Sequence, residues 1–145
     1  MKQIALSFEQ MERLERLGLD TSTASCRLEQ WGANKLVDGA VKFLWSELDL
    51  CIGYNKDRQE CSNYRSYPTF TLQDLLDIIP PRLDKRYQFI LCKVGDVWIA
   101  EYSYGGCEFS LHTSVYGTAL EAAFDMLVWV AKSLYLPKKF LKKTI

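Results

Sequence analysis

Hydrophobic and polar positions alternate in three short runs between residues 87 and 116, and glycine-containing turns separate these runs. Gly95 with Asp96, and Gly105 with Gly106, have the composition of two-residue hairpin connections. The pattern predicts a three-stranded antiparallel meander over about residues 87–116.

Two-residue connections also fix the register of the predicted strands, with Leu91 opposite Ala100 and Ala100 opposite Leu111. This register collects the large apolar side chains on one face of the sheet, and we expect that face to meet the core. The residues of the predicted core face are Phe89, Leu91, Trp98, Ala100, Tyr102, Phe109 and Leu111.

A helix is predicted over residues 119–135, directly after the meander. Thr118 suits its N-cap, with Glu121 at the capping-box position, and Pro137 prevents continuation beyond its end. Apolar residues recur at helical spacing between these limits, so we expect the helix to cover the core face of the sheet. The expected fold class is therefore α+β.

The second face of the meander is expected to be partly apolar. It carries Ile90, Cys92, Val97 and Ile99, and the predicted register adds His112 from the third strand. One helix cannot cover two faces, so either the N-terminal part of the chain or another molecule must cover this one. Large exposed apolar patches are uncommon on monomers, which favours the first alternative. The second alternative would make these residues an interaction face for a protein partner or a second copy of the chain.

Three further helices are predicted upstream of the meander, near residues 8–17, 35–47 and 72–79. Ser7 and Thr71 suit the N-caps of the first and the last of them. The middle helix is indicated by apolar residues at every fourth position, although a glycine inside it costs about 1 kcal/mol relative to alanine. Those residues are Leu36, Ala40, Leu44 and Leu48.

Two segments around the middle helix alternate as strands do. Residues 26–31 indicate a short strand, and residues 48–52 alternate as well, so a strand is the rival interpretation there. The polar stretch over residues 53–67 is the longest predicted loop and the best candidate for an internal boundary. We expect a single α+β domain over residues 1–145, with a subdivision into 1–66 and 67–145 as the alternative.

Eighteen basic and eighteen acidic side chains cancel, so no overall field attracts nucleic acid or an anionic membrane. No apolar run reaches the roughly 18 residues of a membrane helix, and the N-terminus lacks the regions of a signal peptide. These features predict a cytoplasmic protein without membrane contact. Five cysteines without a Cys-x-x-Cys pair are expected to be reduced, and the sequence predicts no cofactor.

The order of helix, three strands and helix resembles that of double-stranded RNA-binding domains. Those domains present lysines at the start of the second helix, whereas residues 118–121 of this chain contain none. The resemblance is therefore limited to topology. Nucleic-acid binding is the alternative function, and a solubilising, frayed terminus is the commoner role for lysines at a chain end. The basic residues of this alternative are Arg58, Arg65, Lys138, Lys139, Lys142 and Lys143.

His112 is the single histidine of the chain. The predicted register places it near Glu101, Ser110 and Ser114, but neighbouring sheet positions supply neither a strained nucleophile nor an oxyanion hole. Cys107 with His112 makes two metal ligands, and zinc needs three or four. We therefore expect an exposed strand histidine, no catalytic residue and no metal site.

Three parts of the sequence are similar to small uncharacterised proteins of bacterial prophages and mobile elements, namely residues 6–11 with 17–22, residues 68–76 and residues 122–129. The likeness extends over most of the chain, and the group supplies no catalytic residues. This resemblance implies an origin on a mobile element. We expect a non-enzymatic interaction or accessory protein that acts through protein–protein contacts.

Overall fold

A computed structural model of the chain describes residues 3–52, 63–105 and 109–143. These residues form three α-helices and eight strands in two antiparallel sheets, which confirms the predicted α+β class. The helices are α1 (Phe8–Arg16), α2 (Leu72–Ile78) and α3 (Ala119–Lys132). The strands of the first sheet are β1 (Cys26–Val37), β2 (Ala40–Trp45), β3 (Asp49–Ile52) and β4 (Tyr64–Thr69). Those of the second sheet are β5 (Arg82–Leu83), β6 (Tyr87–Val94), β7 (Val97–Tyr104) and β8 (Phe109–Tyr116).

The second sheet has the order β5-β6-β7-β8, and its three long strands form the predicted meander with α3 packed on one face. The first turn is confirmed, because Val94 pairs with Val97 and Gly95 has a φ of 60°. Leu91 then pairs with Ala100, as a two-residue connection requires.

The predicted pairing of β7 with β8 is wrong. Tyr104 pairs with Phe109, so residues 105–108 lie between the strands, where we expected a two-residue connection. Gly105 has a φ of 68°, a left-handed conformation that longer hairpin loops commonly use. A β-bulge interrupts the pairing further along and shifts the rest of β8 again.

This shift changes which side chains of β8 face the helix. Ala100 lies opposite Ser114 rather than Leu111, and Tyr102 lies opposite His112. Directly paired residues share a face of a sheet, so His112 and Ser114 stand on the side of α3. The prediction that His112 belongs to the outer face is therefore wrong.

Helices α1 and α2 lie where the sequence predicted them. Ser7 caps α1 through reciprocal hydrogen bonds with Gln10, and Thr71 caps α2 in the same way with Asp74. Each pair satisfies two backbone amides that a free helix end would leave without a partner. Local capping chemistry thus fixes the start of both helices.

Helix α3 starts at the predicted cap but ends at Lys132. The amide of Leu134 donates to the carbonyl of Ala131 at 3.3 Å, and the amide of Tyr135 donates to that of Val130 at 3.1 Å. These two hydrogen bonds form a Schellman C-cap, in which Leu134 takes the left-handed position with a φ of 61°. A left-handed turn therefore ends the helix before the downstream proline is reached.

Residues 35–47 form strands, and the predicted helix there is wrong. β1 continues to Val37, and Asp38 and Gly39 turn the chain into β2 with φ values of 50° and 77°. Positive φ at both central positions is typical of a type I′ hairpin, for which Asp-Gly is a preferred pair. Apolar residues four apart fit a helix, but alternation in two paired strands produces the same spacing.

β1 is the central strand of the first sheet. β3 and β4 pair with its first half, and β2 pairs with its second half. β3 confirms the rival strand near residues 48–52, whereas the predicted loop over 53–67 is wrong from Tyr64 onward, where β4 begins. Residues 53–62 of that loop lie outside the described residues.

One hydrophobic cluster joins the three described helices to the second sheet. Leu14 of α1, Leu75 of α2, Leu127 of α3 and Tyr102 of β7 are fully buried in it. The described strands of the first sheet contribute no residue to this cluster. The first sheet therefore stands outside the core, and a boundary between residues 66 and 67 would fall within β4.

Candidate interaction surface

The second half of β1 and the whole of β2 form a two-stranded ribbon, residues 32–45. β3 and β4 pair with β1 only over residues 26–31, so among the described residues no third strand flanks the ribbon. Two-stranded hairpins are marginally stable in water unless an apolar face is covered. The ribbon is therefore a segment that gains stability from a further contact.

One face of the ribbon carries large apolar side chains that are open to solvent. Leu36 pairs with Val41, and Phe43 and Trp45 follow on the same side at alternate positions of β2. Leu36 is 75% exposed, Val41 71% and Phe43 52%. We call these four residues the apolar stripe. Burying a side chain of this size stabilises a protein by about 1.5–3 kcal/mol, and the exposed side chains of the stripe do not make this contribution.

Aromatic and cationic contacts hold the stripe at the base of the ribbon. The rings of Phe43 and Trp45 meet edge to face with their centroids 5.4 Å apart. The guanidinium of Arg65, on β4, lies 3.8 Å from the centre of the Trp45 ring. The Phe43 ring lies over Gly32, where an added β-carbon would collide with it. These contacts fix the orientation of the two rings before any partner binds.

The opposite face of the ribbon carries two lysines and Leu44, which is 40% exposed. Lys35 and Lys42 are directly paired there, and both side chains are exposed. Like charges opposite each other destabilise a pair of strands. An acidic surface near the ribbon would remove this repulsion.

The apolar stripe continues into a groove on the same face of β1. Leu28 projects from that face because it lies eight positions, an even offset, before Leu36 on the same strand. Ile4 and Phe8 of the N-terminal segment line the groove, together with Leu48 and Leu50. The groove has a volume of about 680 Å³, and Ile4 within it is 59% exposed. We call this cavity the apolar groove.

A second cluster of functional side chains lies between β8 and α3. The hydroxyl of Ser114 donates to Asp125 Oδ2 at 2.5 Å, and Tyr116 donates to Asp125 Oδ1 at 3.0 Å. His112 Nε2 lies 3.2 Å from Ser114 Oγ and 3.4 Å from Asp125 Oδ2. The His112 ring stacks on Trp129 with centroids 4.8 Å apart. The sequence placed His112 near Ser114 but missed Asp125, which only the shifted register brings within reach.

This cluster lacks the geometry of a catalytic triad. A histidine that activates a serine contacts the serine with one ring nitrogen and the acid with the other, whereas here Nε2 of His112 faces both groups. Burial alone would raise the pKa of Asp125, but hydrogen bonds from Ser114, Tyr116 and His112 outweigh it and hold the pKa below its ordinary value. The arrangement stabilises an ionised carboxylate that ties the helix to the sheet.

The interaction face predicted on the second sheet is only partly open. Cys92 and Val97 are exposed, whereas Ile90 and Ile99 are half-buried. His112 does not belong to this face, because it contacts α3 on the other side of the sheet. Burial within the chain, the expectation favoured from the sequence, is therefore not met at Cys92 and Val97.

The basic residues of the nucleic-acid alternative lie on different elements. Arg65 is on β4 and stacks on Trp45, and Arg58 lies outside the described residues. The four lysines that follow α3 are exposed, namely Lys138, Lys139, Lys142 and Lys143. Arg65 is thus already engaged in a contact within the chain.

The C-terminal segment is anchored, and the expectation of a frayed terminus is wrong for the described residues. Leu141 forms a β-bridge with Leu19. The amide of Lys142 donates to the carbonyl of Gly18 at 2.8 Å, and the amide of Asp20 donates to that of Phe140 at 2.9 Å. These contacts fix the backbone from which the tail lysines project.

Metal and thiol chemistry find little support in the part of the chain that the structure describes. No group of three or more histidine, cysteine or carboxylate side chains there could hold a metal ion. None of the helices in that part is long and apolar enough to cross a membrane. Cys26 and Cys92 are free thiols, and Cys61 and Cys107 lie outside the described residues.

The apolar stripe was missed by the sequence interpretation. Its signal was the Asp38–Gly39 pair, flanked on both sides by alternating apolar and polar residues. Such a pair predicts a hairpin, but the four-residue spacing of apolar residues favoured a helix in its place.

Comparisons of the chain with protein-family models, with curated proteins and with solved structures find no match.

Proposed function

We propose that the chain is a non-enzymatic interaction protein and that the apolar stripe of the ribbon makes its contact with another protein. The observation that carries this proposal is the exposure of Leu36, Val41 and Phe43, each more than half open to solvent on one face of a two-stranded ribbon. A partner that covers this face supplies the burial that an isolated hairpin lacks.

The composition of the stripe supports the same proposal. Binding energy at protein interfaces concentrates in a few side chains, among which tryptophan, tyrosine and arginine are enriched, and side chains that are held in place before binding lose less entropy. Trp45, Phe43 and Arg65 are arranged in this way at the base of the ribbon. The contact is therefore expected to be centred on these rings, with Leu36 and Val41 extending it toward the tip.

The geometry of the cluster formed by His112, Ser114 and Asp125 supports a non-enzymatic role. Ser114 and Asp125 both contact Nε2 of His112, so the histidine cannot use one ring nitrogen for the serine and the other for the acid, as a catalytic triad requires. An accessory role in the cytoplasm of a cell that carries a prophage or other mobile element, as the sequence resemblance implies, belongs to the same proposal.

Site-specific photo-crosslinking in the producing cell tests the proposal. A benzophenone amino acid replaces Val41 on the stripe, and the matched control carries it at Lys42, the neighbouring residue on the opposite face. We expect protein adducts from position 41 and few from position 42. The absence of protein adducts at position 41, or equal yields from both positions, would overturn the proposal. Nucleic-acid adducts from either position would favour the alternative function instead.

A further inference from the structure

We infer that the partner of the apolar stripe is a second copy of this chain, and that each copy places its stripe in the apolar groove of the other. The inference rests on the proposed function and names the partner that the same surface fits. Both halves of the required interface are present on one chain, since the stripe and the groove lie on one face of β1. A surface patch that is complementary to itself can pair with the same patch on a second copy, which gives a two-fold symmetric, isologous dimer.

The spacing along β1 suits a two-fold arrangement. Leu28 marks the groove and Leu36 marks the stripe, and Gly32 lies midway between them. At about 3.3 Å per residue, the two leucines are roughly 26 Å apart. We place the two-fold axis in the interface, over Gly32 and perpendicular to β1. The two β1 strands of the dimer then run antiparallel. Leu36 of each copy then stands over Leu28 of the other.

The groove can accept the tip of the ribbon. A cavity of about 150 Å³ is enough to enclose one benzene molecule, so the volume of about 680 Å³ has room for several side chains. The walls formed by Ile4 and Leu48 are apolar and partly exposed, which matches the chemistry of Leu36 and Val41. Insertion of Leu36 and Val41 would remove their side chains and the apolar walls of the groove from water at the same time.

The centre of this interface would be aromatic. Phe43 and Trp45 lie beside Gly32, so the two-fold axis brings each ring close to its own counterpart in the second copy. Two sheets that pack face to face stand about 10 Å apart, a separation that layers of large side chains fill. Aromatic side chains at the centre match the composition of interface cores, in which aromatic residues are enriched.

Light scattering of the purified full-length chain tests the inference through two variants at opposite ends of the interface. Val41→Lys alters the stripe and Leu48→Glu alters the groove, and Val115→Lys is the control because Val115 is 53% exposed on the outer face of the second sheet. We expect dimers for the parent chain and for Val115→Lys, and at least a tenfold weaker dimer for each of the other two variants. All four proteins should have similar melting temperatures, since the altered side chains are partly or largely exposed.

Mixing the two interface variants gives the sharpest result. In a heterodimer of Val41→Lys with Leu48→Glu, one stripe–groove contact is unchanged and the other pairs the new lysine with the new glutamate. The mixture should therefore form dimers, although each variant alone does not. A monomeric parent chain, or a dimer that Val115→Lys disrupts and Val41→Lys does not, would overturn the inference. Photo-adducts with another protein from position 41 in cells, combined with a monomeric purified chain, would refute self-association and leave the proposed function standing.

Discussion

Ser114 donates its hydroxyl proton to Asp125 across the boundary between β8 and α3, with 2.5 Å between Oγ and Oδ2. Ser114 itself is buried, at 2% exposure, so the hydroxyl has little access to water. Tyr116 donates to the other carboxylate oxygen at 3.0 Å. Two strand hydroxyls therefore hold one helix carboxylate, and the ionised form of Asp125 is the form that they stabilise.

Ser114→Ala is expected to lower the free energy of unfolding by about 1–3 kcal/mol at pH 7, because the carboxylate loses its shortest hydrogen bond. The pKa of Asp125 is lowered in the folded protein, so its stabilising contribution is present above its ordinary value of 3.8 and declines as the pH falls through the lowered value. The deficit of the variant should therefore shrink in acid. Denaturant titrations at neutral and strongly acidic pH measure the deficit, with Ser110→Ala, an exposed serine of the same strand, as the control.

The register of β8 could not be predicted from the sequence. The pair Gly105 and Gly106 fits a two-residue turn, and the register that this turn predicts also placed Leu111 on the core face. In the fold a longer connection and a bulge bring His112 and Ser114 to that face, and Leu111, at the bulge, still packs partly buried against the core. A one-residue change of register exchanges the two faces of a strand, so the outcome depends on tertiary contacts, here the hydrogen bonds to Asp125.

Leu127→Ala in α3 is expected to lower the free energy of unfolding by about 2–5 kcal/mol, since it leaves a cavity in the core. Leu127 is fully buried in the cluster that joins the helices to the second sheet. Leu134→Ala is the matched control, because Leu134 is 90% exposed just beyond the same helix. Denaturant titration should separate the two variants clearly. Equal effects would mean that α3 does not pack on the sheet as described.

Leu134→Gly is expected to raise the free energy of unfolding by about 1 kcal/mol. Leu134 has a φ of 61° at the C-cap of α3, and a side chain in this left-handed conformation costs roughly 1–2 kcal/mol that glycine avoids. Glycine loses more backbone freedom on folding, which reduces the gain. Leu134→Ala keeps the β-carbon and should leave stability unchanged. Thermal unfolding of both variants checks this, and a destabilised glycine variant would contradict the Schellman cap.

The helices and the ribbon differ in how far local sequence determines them. Ser7 with Gln10 and Thr71 with Asp74 form caps whose two partners are three residues apart, so sequence alone predicts where these helices start. In residues 35–47 the local signals conflict, because apolar spacing fits a helix and Asp38–Gly39 fits a hairpin. Pairing with β1 decides between them, and the apolar stripe appears only when the two strands are placed side by side.

Gly32→Ala is expected to move the Phe43 ring off β1 while leaving the fold intact. The added methyl group collides with the far end of the Phe43 side chain, which is 52% exposed and can rotate away without movement of the backbone. Alanine in a strand normally gains about 0.5–1 kcal/mol over glycine, so the loss of ring packing should leave the melting temperature almost unchanged. Dimerisation should nevertheless weaken, because Phe43 lies close to the proposed two-fold axis. Gly117→Ala, where the new methyl group meets open space, is the control for light scattering and for Trp45 fluorescence. A Gly32→Ala protein that dimerises as tightly as the Gly117→Ala control would place the aromatic pair outside the interface.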